Sequence, residues 1–250
     1  MDGERLKNSI DSIVEETPLS LFINGRHFVT AMISPDMVTE FILGYLFSER
    51  IINSRSDVES LEFEGHVARV IIAHPIKALI PRKPIVSGCG ATAAFLDQSK
   101  LPQIASDMKI DKKSILSALK ATLDSELHAA TGGIHSVGLF EEDKAICICE
   151  DIGRHNALDK AIGFGLERDV DFGKIFVLST GRISSEMALK CCVAGIPLIA
   201  SRGATTSLAI EIAERAGLSI IGFVRGDRMN IYSNCWRVRE ASTAISEDDS

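Results

Sequence analysis

Apolar residues alternate with polar ones along the first part of the chain, as they do in β-strands that bury one face. This alternation predicts four strands, over residues 19–23, 27–32, 58–63 and 67–73. Asn24 and Gly25 stand between the first two, and this dipeptide strongly favours a two-residue hairpin turn. Helical apolar spacing over residues 37–47, just after Ser34, predicts one helix in the same part of the chain.

In the second part of the chain, nearly continuous apolar segments alternate with segments whose apolar residues have helical spacing. Strands are predicted over residues 136–140, 145–149, 174–179, 196–200 and 218–224. Helices are predicted over residues 112–128, 184–193 and 207–216, and from within the polar run 150–160. Near-continuous apolar strands that alternate with helices are typical of a sheet covered on both faces. The chain is therefore predicted to have an α/β fold, α+β overall.

The domain organisation is predicted from the same pattern. Residues 1–80 are expected to form an N-terminal β-rich domain with one helix, and residues 81–240 an α/β domain that carries the site. The soft boundary falls in residues 74–84, which contain three prolines and look like a connector. The polar, acidic residues 241–250 are expected to be a disordered tail.

Composition narrows the class of protein. The 250 residues are 46% hydrophobic and 24% charged, so a sizeable core is available. The net charge of −7 argues against a general nucleic-acid surface. No apolar stretch reaches the ~18–20 residues that a membrane-spanning helix needs, and the N-terminus lacks the apolar segment of a signal peptide. We expect a cytoplasmic protein that binds neither nucleic acid nor membrane.

The six cysteines do not suggest a disulfide scaffold. Cys147 and Cys149 alternate on a predicted strand and share a face, while Cys191 and Cys192 are neighbours in a predicted helix. We expect these four to be small buried apolar residues. The chain has neither a Cys-x-x-Cys nor a His-Glu-x-x-His motif, so no structural metal is expected.

The run from Glu150 to Lys160 holds five charged side chains and one imidazole, directly after a predicted strand. Such a junction offers free helix N–H groups and an open crevice, which together suit an anionic ligand. Asp151 and Asp159 are expected to orient Arg154, His155 and Lys160 rather than to react. The alternative is an ion-pair network with a purely structural role.

Three predicted strands end in a small polar residue or glycine together with arginine. The segments are Ser179-Thr180-Gly181-Arg182, Ser201-Arg202-Gly203 and Arg225-Gly226-Asp227-Arg228. Because the carboxyl ends of parallel strands lie along one edge, these segments would gather arginines and hydroxyls there. That arrangement suits a phosphorylated ligand. The alternative is three solvated turns.

Two further residues are candidates for chemistry. Cys89 lies between Gly88 and Gly90, which leaves its sulfur open to approach, and a nearby helix start would favour the nucleophilic thiolate. The alternative is a buried or idle cysteine. His135 follows a Thr-Gly-Gly segment just before a strand, and it can serve as an acid–base group, as a donor to an anion, or as a structural histidine.

Several long motifs resemble the FdhD/NarQ family, the formate dehydrogenase accessory sulfurtransferases. These motifs lie at residues 131–135, 150–160, 179–187, 201–206 and 223–232. The N-terminal half is similar too, through residues 16–19, the Asn24-Gly25 pair and residues 44–46. The resemblance covers roughly residues 15–235, and its motifs occur in the family's order.

The resemblance implies a specific function and fold. Members are similar to sulfur carriers that take a persulfide from a cysteine desulfurase and pass sulfur to molybdenum bis(molybdopterin guanine dinucleotide), for insertion into formate dehydrogenase. It also implies a homodimer and a cytidine-deaminase-like three-layer α/β/α domain.

The resemblance places the persulfide cysteine on Cys89 and a cofactor-contacting loop on residues 223–228. The polar motifs described above complete the expected site. Residues expected to contact the cofactor, or a guanine nucleotide as its analogue, are Phe223, Val224, Arg225, Gly226, Asp227, Arg228, Thr131, Gly132, Gly133, His135, Gly153, Arg154, His155, Asn156, Ser179, Gly181, Arg182, Ser201 and Arg202.

One departure from the family concerns the cysteine loop. The family pattern is Cys-Gly-x-Cys-Gly, whereas this chain has Thr92 in place of the second cysteine. A resolving disulfide within this loop is therefore impossible. Either Cys89 alone suffices for transfer, or this member has lost or altered the activity. The alternatives are a chaperone that binds the molybdenum cofactor without sulfur chemistry, and a nucleotide hydrolase, for which the chain lacks the deaminase zinc signature.

Overall fold

A computed structural model gives the fold and describes residues 10–73 and 101–239. The first of these ranges forms strands β1 (Thr17–Ile23), β2 (Arg26–Ile33), β3 (Val58–Glu64) and β4 (Val67–Ile72), and helix α1 (Val38–Ser48). The strands make one sheet in the order β2-β1-β4-β3, in which β1 and β4 are parallel. Asn24 and Gly25 have φ values of 47° and 77°, as a two-residue hairpin turn needs, so the predicted hairpin is confirmed.

The second described range contributes a larger sheet. Its strands are β5 (Ile110–Asp111), β6 (His135–Glu141), β7 (Lys144–Asp151), β8 (Phe176–Ser179), β9 (Leu198–Ser201), β10 (Ser219–Arg225), β11 (Arg228–Ile231) and β12 (Val238–Arg239). Six of them form one sheet in the order β11-β10-β9-β8-β6-β7. In that sheet β8, β9 and β10 are parallel, and the other neighbours are antiparallel. β5 and β12 pair separately.

The second described range also contains five α-helices. They are α2 (Lys112–Leu123), α3 (Glu126–Thr131), α4 (Arg154–Glu167), α5 (Ser185–Ala194) and α6 (Ser207–Ala216). α4, α5 and α6 share one core with the sheet, and α2 packs on the opposite face. The predicted mixed α/β fold is confirmed; the cytidine-deaminase likeness stays a prediction. Within the described ranges, no helix is both long and apolar enough to cross a bilayer.

Several predicted elements differ from those observed. The helix expected over residues 112–128 ends at Leu123, because Ser125 starts α3 by accepting a hydrogen bond from the backbone N–H of His128. The strand expected from residue 174 begins at Phe176, after a short 3₁₀ turn capped by Asp171. The third arginine segment is the turn of a hairpin between β10 and β11, and β11 was missed.

Candidate functional site

The ends of five strands lie along one edge of the six-stranded sheet. Strands β8, β9 and β10 are parallel, so their carboxyl ends meet there. β6 runs antiparallel to β8, which brings its first residue, His135, to the same edge, and His135 is opposite Asp151 at the end of β7. We call this edge the rim: His135, the start of α4, and residues 180–184, 202–206 and 223–228.

Backbone hydrogen bonds join the rim loops to one another. The Arg202 N–H donates to Ser179 O at 3.1 Å, and the Ile183 N–H donates to Ala204 O at 2.9 Å. The Phe223 N–H in turn donates to Gly203 O at 2.9 Å. The rim is therefore a set of mutually supported loops rather than three independent turns, which favours the ligand-site interpretation over solvated turns.

Two serine side chains stabilise two of these loops through hydrogen bonds to the loop backbone. Ser179 Oγ accepts from the Gly181 N–H at 3.2 Å, and Ser201 Oγ accepts from the Gly203 N–H at 2.8 Å while donating to Gly181 O. Both serines are fully buried. They were predicted to contact the ligand, and the structure shows their hydroxyls occupied in shaping the loops.

Arginine side chains give the rim its charge. Arg182, Arg202, Arg225 and Arg228 are all exposed. Within residues 10–73 and 101–239, none of these four has a carboxylate within ion-pair distance. In a chain of net charge −7, a local group of uncompensated guanidinium groups attracts anions. Arginine also binds phosphate oxygens in a bidentate way.

Gly181 lets two predicted site residues approach each other. A Cβ at Gly181 would lie 3.0 Å from Arg154 Cβ and 3.2 Å from His135 Nδ1. Any side chain at this position would therefore push the two apart. Arg154 Nε is buried and has no hydrogen-bond partner among the residues that the structure describes.

The start of α4 differs from the starts of the other two rim helices. Ser184 and Thr206 cap α5 and α6 with their side chains, through the N–H groups of Met187 and Ala209. α4 has Gly153 at its cap position and no side-chain cap. Its first N–H groups are therefore available to an anion, beside Arg154 and His155.

His135 is half-buried and surrounded by positive charge. Burial lowers its pKa, and so do the charges of Arg154, His128 and Arg182; Asp151 acts weakly in the opposite direction. The imidazole is therefore mostly neutral near neutral pH. Burial and the charge of Arg182 lower the pKa of the Arg154 guanidinium as well.

His155 lies deeper than His135. Its Nε2 is 3.0 Å from Ser184 Oγ and 3.5 Å from Glu186 Oε2. Burial, followed by the charges of Arg154 and Lys190, lowers the pKa of His155 to about 3, so the contact with Glu186 is not an ion pair at neutral pH. Ser184 and Glu186 lie inside the motif 179–187 but were not predicted as site residues.

Asp151 fixes the start of α4 to the rest of the molecule. Its buried carboxylate accepts from the Ser34 N–H at 3.0 Å, the Gly153 N–H at 2.9 Å, Asn156 Nδ2 at 2.8 Å and Lys160 Nζ at 2.7 Å. Asp151 thus orients Lys160, as predicted. Asn156 Nδ2 also donates to the Met32 carbonyl at 2.8 Å, so this predicted ligand residue supports the scaffold.

The prediction for Asp159 was wrong. Asp159 does not orient Arg154, His155 or Lys160; it forms a buried pair with Lys190, with Nζ–O distances of 2.8 and 2.9 Å. Residue spacing within α4 could not predict this ion pair, because Lys190 belongs to α5. The polar run 150–160 therefore combines a structural network with one wall of the rim.

The hairpin loop after β10 presents an aromatic ring. Phe223 has φ of 53°, in the left-handed region, at a bulge in the pairing of β10 with β11. Its side chain is 38% exposed, and the Arg225 guanidinium lies 5.7 Å from its ring centre. Gly226, Asp227 and Arg228 are exposed in the turn, whereas the Val224 side chain is buried in the core and cannot reach a ligand.

Residues 131–133 lead directly into His135. Gly132 ends α3 with φ of 63°, and the Thr131 hydroxyl donates to the Leu127 carbonyl at 2.7 Å. A Cβ at Gly133 would lie 3.2 Å from Val14 Cγ2. The loop thus passes between the rim and the segment before β1, but its side chains make no contact that identifies a ligand.

A separate cavity lies away from the rim. It has a volume of about 580 Å³ and lies between α1 and the four-stranded sheet, with Leu19, Ile33 and Phe63 in its wall. Its lining is mainly apolar and it holds none of the rim arginines. We place the site at the rim because charge, close packing and uncapped N–H groups converge there.

Comparison with known proteins identifies the family. A model of the FdhD/NarQ family matches residues 14–239. This chain belongs to the FdhD/NarQ family. Sulfur carrier protein FdhD of Saccharolobus solfataricus is 37% identical over 245 residues, covering 95% of this chain and 94% of that one. Sulfur carrier protein FdhD of Bacillus pumilus is 34% identical over 239 residues, covering 92% and 91%.

A solved structure has the same fold. The crystal structure of a protein described as a formate dehydrogenase accessory protein from Desulfotalea psychrophila matches with a TM-score of 0.77 and 26% identity. The match covers 92% of this chain and 91% of that chain. All three rim loops, His135 and the start of α4 fall inside the residues that the family model matches.

Among the described residues, the cysteines of this FdhD/NarQ member are buried except for Cys235, which is exposed. Cys89, the predicted persulfide carrier, lies outside the described residues. Cys147, Cys149, Cys191 and Cys192 are buried, as predicted. Burial raises the pKa of Cys191 well above its usual range and that of Cys192 to about 12, which leaves these two as poor nucleophiles.

Proposed function

We propose that this FdhD/NarQ protein is a sulfurtransferase that accepts persulfide sulfur from a cysteine desulfurase. It passes the sulfur to molybdenum bis(molybdopterin guanine dinucleotide), which formate dehydrogenase then receives. The observation that carries the proposal is the group of exposed rim arginines, none of which has a carboxylate within ion-pair distance among the described residues. It stands in a chain whose relatives are named sulfur carrier protein FdhD.

The rim suits the dinucleotide part of that substrate. A pyrophosphate diester carries two negative charges, which Arg182 and Arg202 can neutralise from the loops after β8 and β9. The uncapped N–H groups at the start of α4 supply further donors. The exposed ring of Phe223 offers a surface on which a guanine base can stack. Because the charge and the ring lie on neighbouring loops, one ligand can use both.

Cys89 would carry the sulfur. Its thiolate attacks the outer sulfur of the donor's persulfide, a new S–S bond forms on Cys89, and the donor's S–S bond breaks to release a thiolate. This role rests on the sequence motif, since Cys89 lies outside the described residues. Thr92 leaves no second cysteine in the loop, so a single cysteine would have to hold the sulfur.

Sulfur loading is tested by incubating the protein with a cysteine desulfurase and cysteine and then measuring its intact mass. The proposal predicts one added sulfur atom in the wild type and in Cys235→Ala, whose changed residue is exposed and outside the motif. It predicts none in Cys89→Ala. Loading that persists without Cys89 would disprove the assignment.

A chaperone that binds the cofactor without sulfur chemistry is the second candidate, and Thr92 favours it. Both candidates require the rim to bind a guanine dinucleotide, so binding alone does not separate them. Maturation of formate dehydrogenase by Cys89→Ala does: retained maturation would select the chaperone. The expected cytoplasmic location, the homodimer and the cysteine desulfurase and formate dehydrogenase partners are part of the same proposal.

A further inference from the structure

Three histidines lie at or beside the rim, and their hydrogen bonds differ. His128 Nδ1 lies 3.0 Å from the Ile134 carbonyl oxygen. His155 Nε2 contacts the Ser184 hydroxyl and the Glu186 carboxylate. Among the described residues, the imidazole of His135 has no hydrogen-bond partner at either nitrogen. His135 is therefore the histidine whose ring is left available to a ligand.

Groups that oppose protonation of His135 face it from three directions. Arg154 approaches from the first turn of α4, Arg182 from the loop after β8, and His128 from α3. The acidic group that faces it is Asp151 at the end of β7, whose carboxylate is already bonded to Lys160. Protonation of the imidazole is opposed while the rim holds no anion, because the added charge would be buried among like charges.

An anion bound by Arg154 and Arg182 would reverse this balance. The packing at Gly181 brings His135 and Arg154 together, so phosphate oxygens held by Arg154 lie beside the imidazole. Their negative charge offsets the guanidinium charges that oppose protonation. A protonated imidazole also gains a charge-assisted hydrogen bond to an oxygen, which the neutral ring makes less strongly.

We infer that His135 is the ligand-linked proton acceptor of the rim: when a pyrophosphate binds, the imidazole takes one proton from solvent and donates a hydrogen bond to the ligand. This inference rests on the proposed function, since it needs the rim to bind a phosphorylated ligand. It assigns His135 a role distinct from that of the arginines, which carry their charge before the ligand arrives.

The sign of the pH dependence follows from linkage. The free protein has a lowered His135 pKa and the complex a higher one, so affinity rises as the pH falls from the bound-state pKa to the free-state pKa. One linked proton limits the gain to about tenfold per pH unit. Below the free-state pKa the dependence disappears, because both states are then protonated.

Calorimetry in two buffers with different ionisation enthalpies measures the proton directly. The ligand is diguanosine pyrophosphate, whose phosphates have no proton to gain or lose near neutral pH, so any uptake belongs to the protein. We expect binding of the wild type at about pH 7 to take up a substantial fraction of one proton. We expect His135→Gln to bind more weakly and to take up none.

Two control variants separate the possible outcomes. His66→Gln changes an exposed histidine in the β3–β4 turn and is expected to retain the uptake. His27→Gln changes an exposed histidine of β2, away from the rim, and is also expected to retain it. Binding without proton uptake, or uptake that survives in His135→Gln, would overturn the inference. Absence of binding at every pH would instead contradict the proposed function.

Discussion

Gly44 of α1 and Gly163 of α4 face each other where the two helices cross. A Cβ at Gly44 would lie 1.8 Å from the Asp159 carbonyl oxygen, and one at Gly163 would lie 1.9 Å from the Glu40 carbonyl oxygen. The backbones of the two helices are thus in direct contact. This crossing joins the four-stranded sheet and its helix to the helix that carries Arg154 and His155 on its first turn.

Gly163→Ala should strongly destabilise the protein. In an open helix the change to alanine usually adds stability, but here the methyl group would overlap backbone atoms that cannot move independently of α1. Overpacking of this kind costs about 1–3 kcal/mol, and a backbone clash belongs at the upper end. Urea unfolding of the variant and wild type measures the difference.

Gly165→Ala is the matched control for that prediction. It lies on the same helix, and its added Cβ would approach the ring of Phe172 at 2.7 Å, a side chain that can shift. Its loss of stability should be the smaller of the two. Equal losses would show that the close crossing with α1 is not what makes Gly163 necessary.

Local signals allowed parts of the fold to be predicted from the sequence. Helix α6 was predicted at its observed limits, because Thr206 caps its start and Gly217, with φ of 79°, ends it. The Asn24-Gly25 turn was predicted for the same kind of reason. The Gly44–Gly163 crossing could not be predicted, since each glycine is needed only because of a helix more than a hundred residues away.

Lys190→Met should be among the most damaging single substitutions. It removes the partner of Asp159, which is fully buried, and leaves that carboxyl among α1, α4 and α5 without its cation. Breaking a buried pair in this way costs about 3–5 kcal/mol. Adding Asp159→Asn to Lys190→Met should recover part of the loss, because the orphaned carboxylate is then removed. A double variant less stable than Lys190→Met alone would contradict a charge-based explanation.

His155→Gln should flatten the dependence of stability on pH. Burial, followed by the charges of Arg154 and Lys190, lowers the pKa of His155 from 6.5 to about 3. Below pH 6.5 the imidazole therefore binds a proton in the unfolded chain but not in the folded protein. Stability from this source is complete above pH 6.5 and is lost as the pH falls. The slope difference between wild type and variant should approach about 1.4 kcal/mol per pH unit.

Asp159 works in the opposite direction over part of that range. Burial raises its pKa from 3.8 to about 6, so the folded protein binds this proton more readily than the unfolded chain does. Comparison of the variant with wild type cancels this contribution. Urea titrations in steps from neutral to mildly acidic pH supply both slopes, and His66→Gln serves as the control that should leave the slope unchanged. Parallel curves for wild type and His155→Gln would show that His155 titrates normally.

Phe223→Gly should separate stability from binding. The left-handed φ of Phe223 is strained for a residue with a side chain, so glycine should raise the unfolding free energy by up to about 1 kcal/mol. Loss of the ring should weaken diguanosine pyrophosphate binding about tenfold or more. Phe223→Tyr keeps the ring and should bind as wild type does. Undiminished binding by Phe223→Gly would contradict the prediction that a guanine base stacks on the Phe223 ring.

The site was predictable where its residues follow strand ends, and less so where distant contacts decide their roles. The arginines after β8 and β9 were predicted because parallel strands place their carboxyl ends together. Ser34, which follows β2 and donates to Asp151, lies 117 residues away from it, and no local pattern indicates this contact. His155 was predicted, but the Ser184 and Glu186 contacts that hold it depend on how α5 packs beside α4.

Equilibrium binding of diguanosine pyrophosphate to arginine variants decides whether the rim is a ligand site. Arg182→Gln and Arg202→Gln should each weaken binding about tenfold or more, since each removes a charge-assisted hydrogen bond to phosphate, and the double variant that combines them should bind more weakly still. Lys113→Gln combined with Lys120→Gln removes the same charge as the double arginine variant from exposed positions on α2, across the sheet from α4. This control should bind as wild type does. Equal binding by the double arginine variant and the lysine control would contradict the rim as the cofactor site.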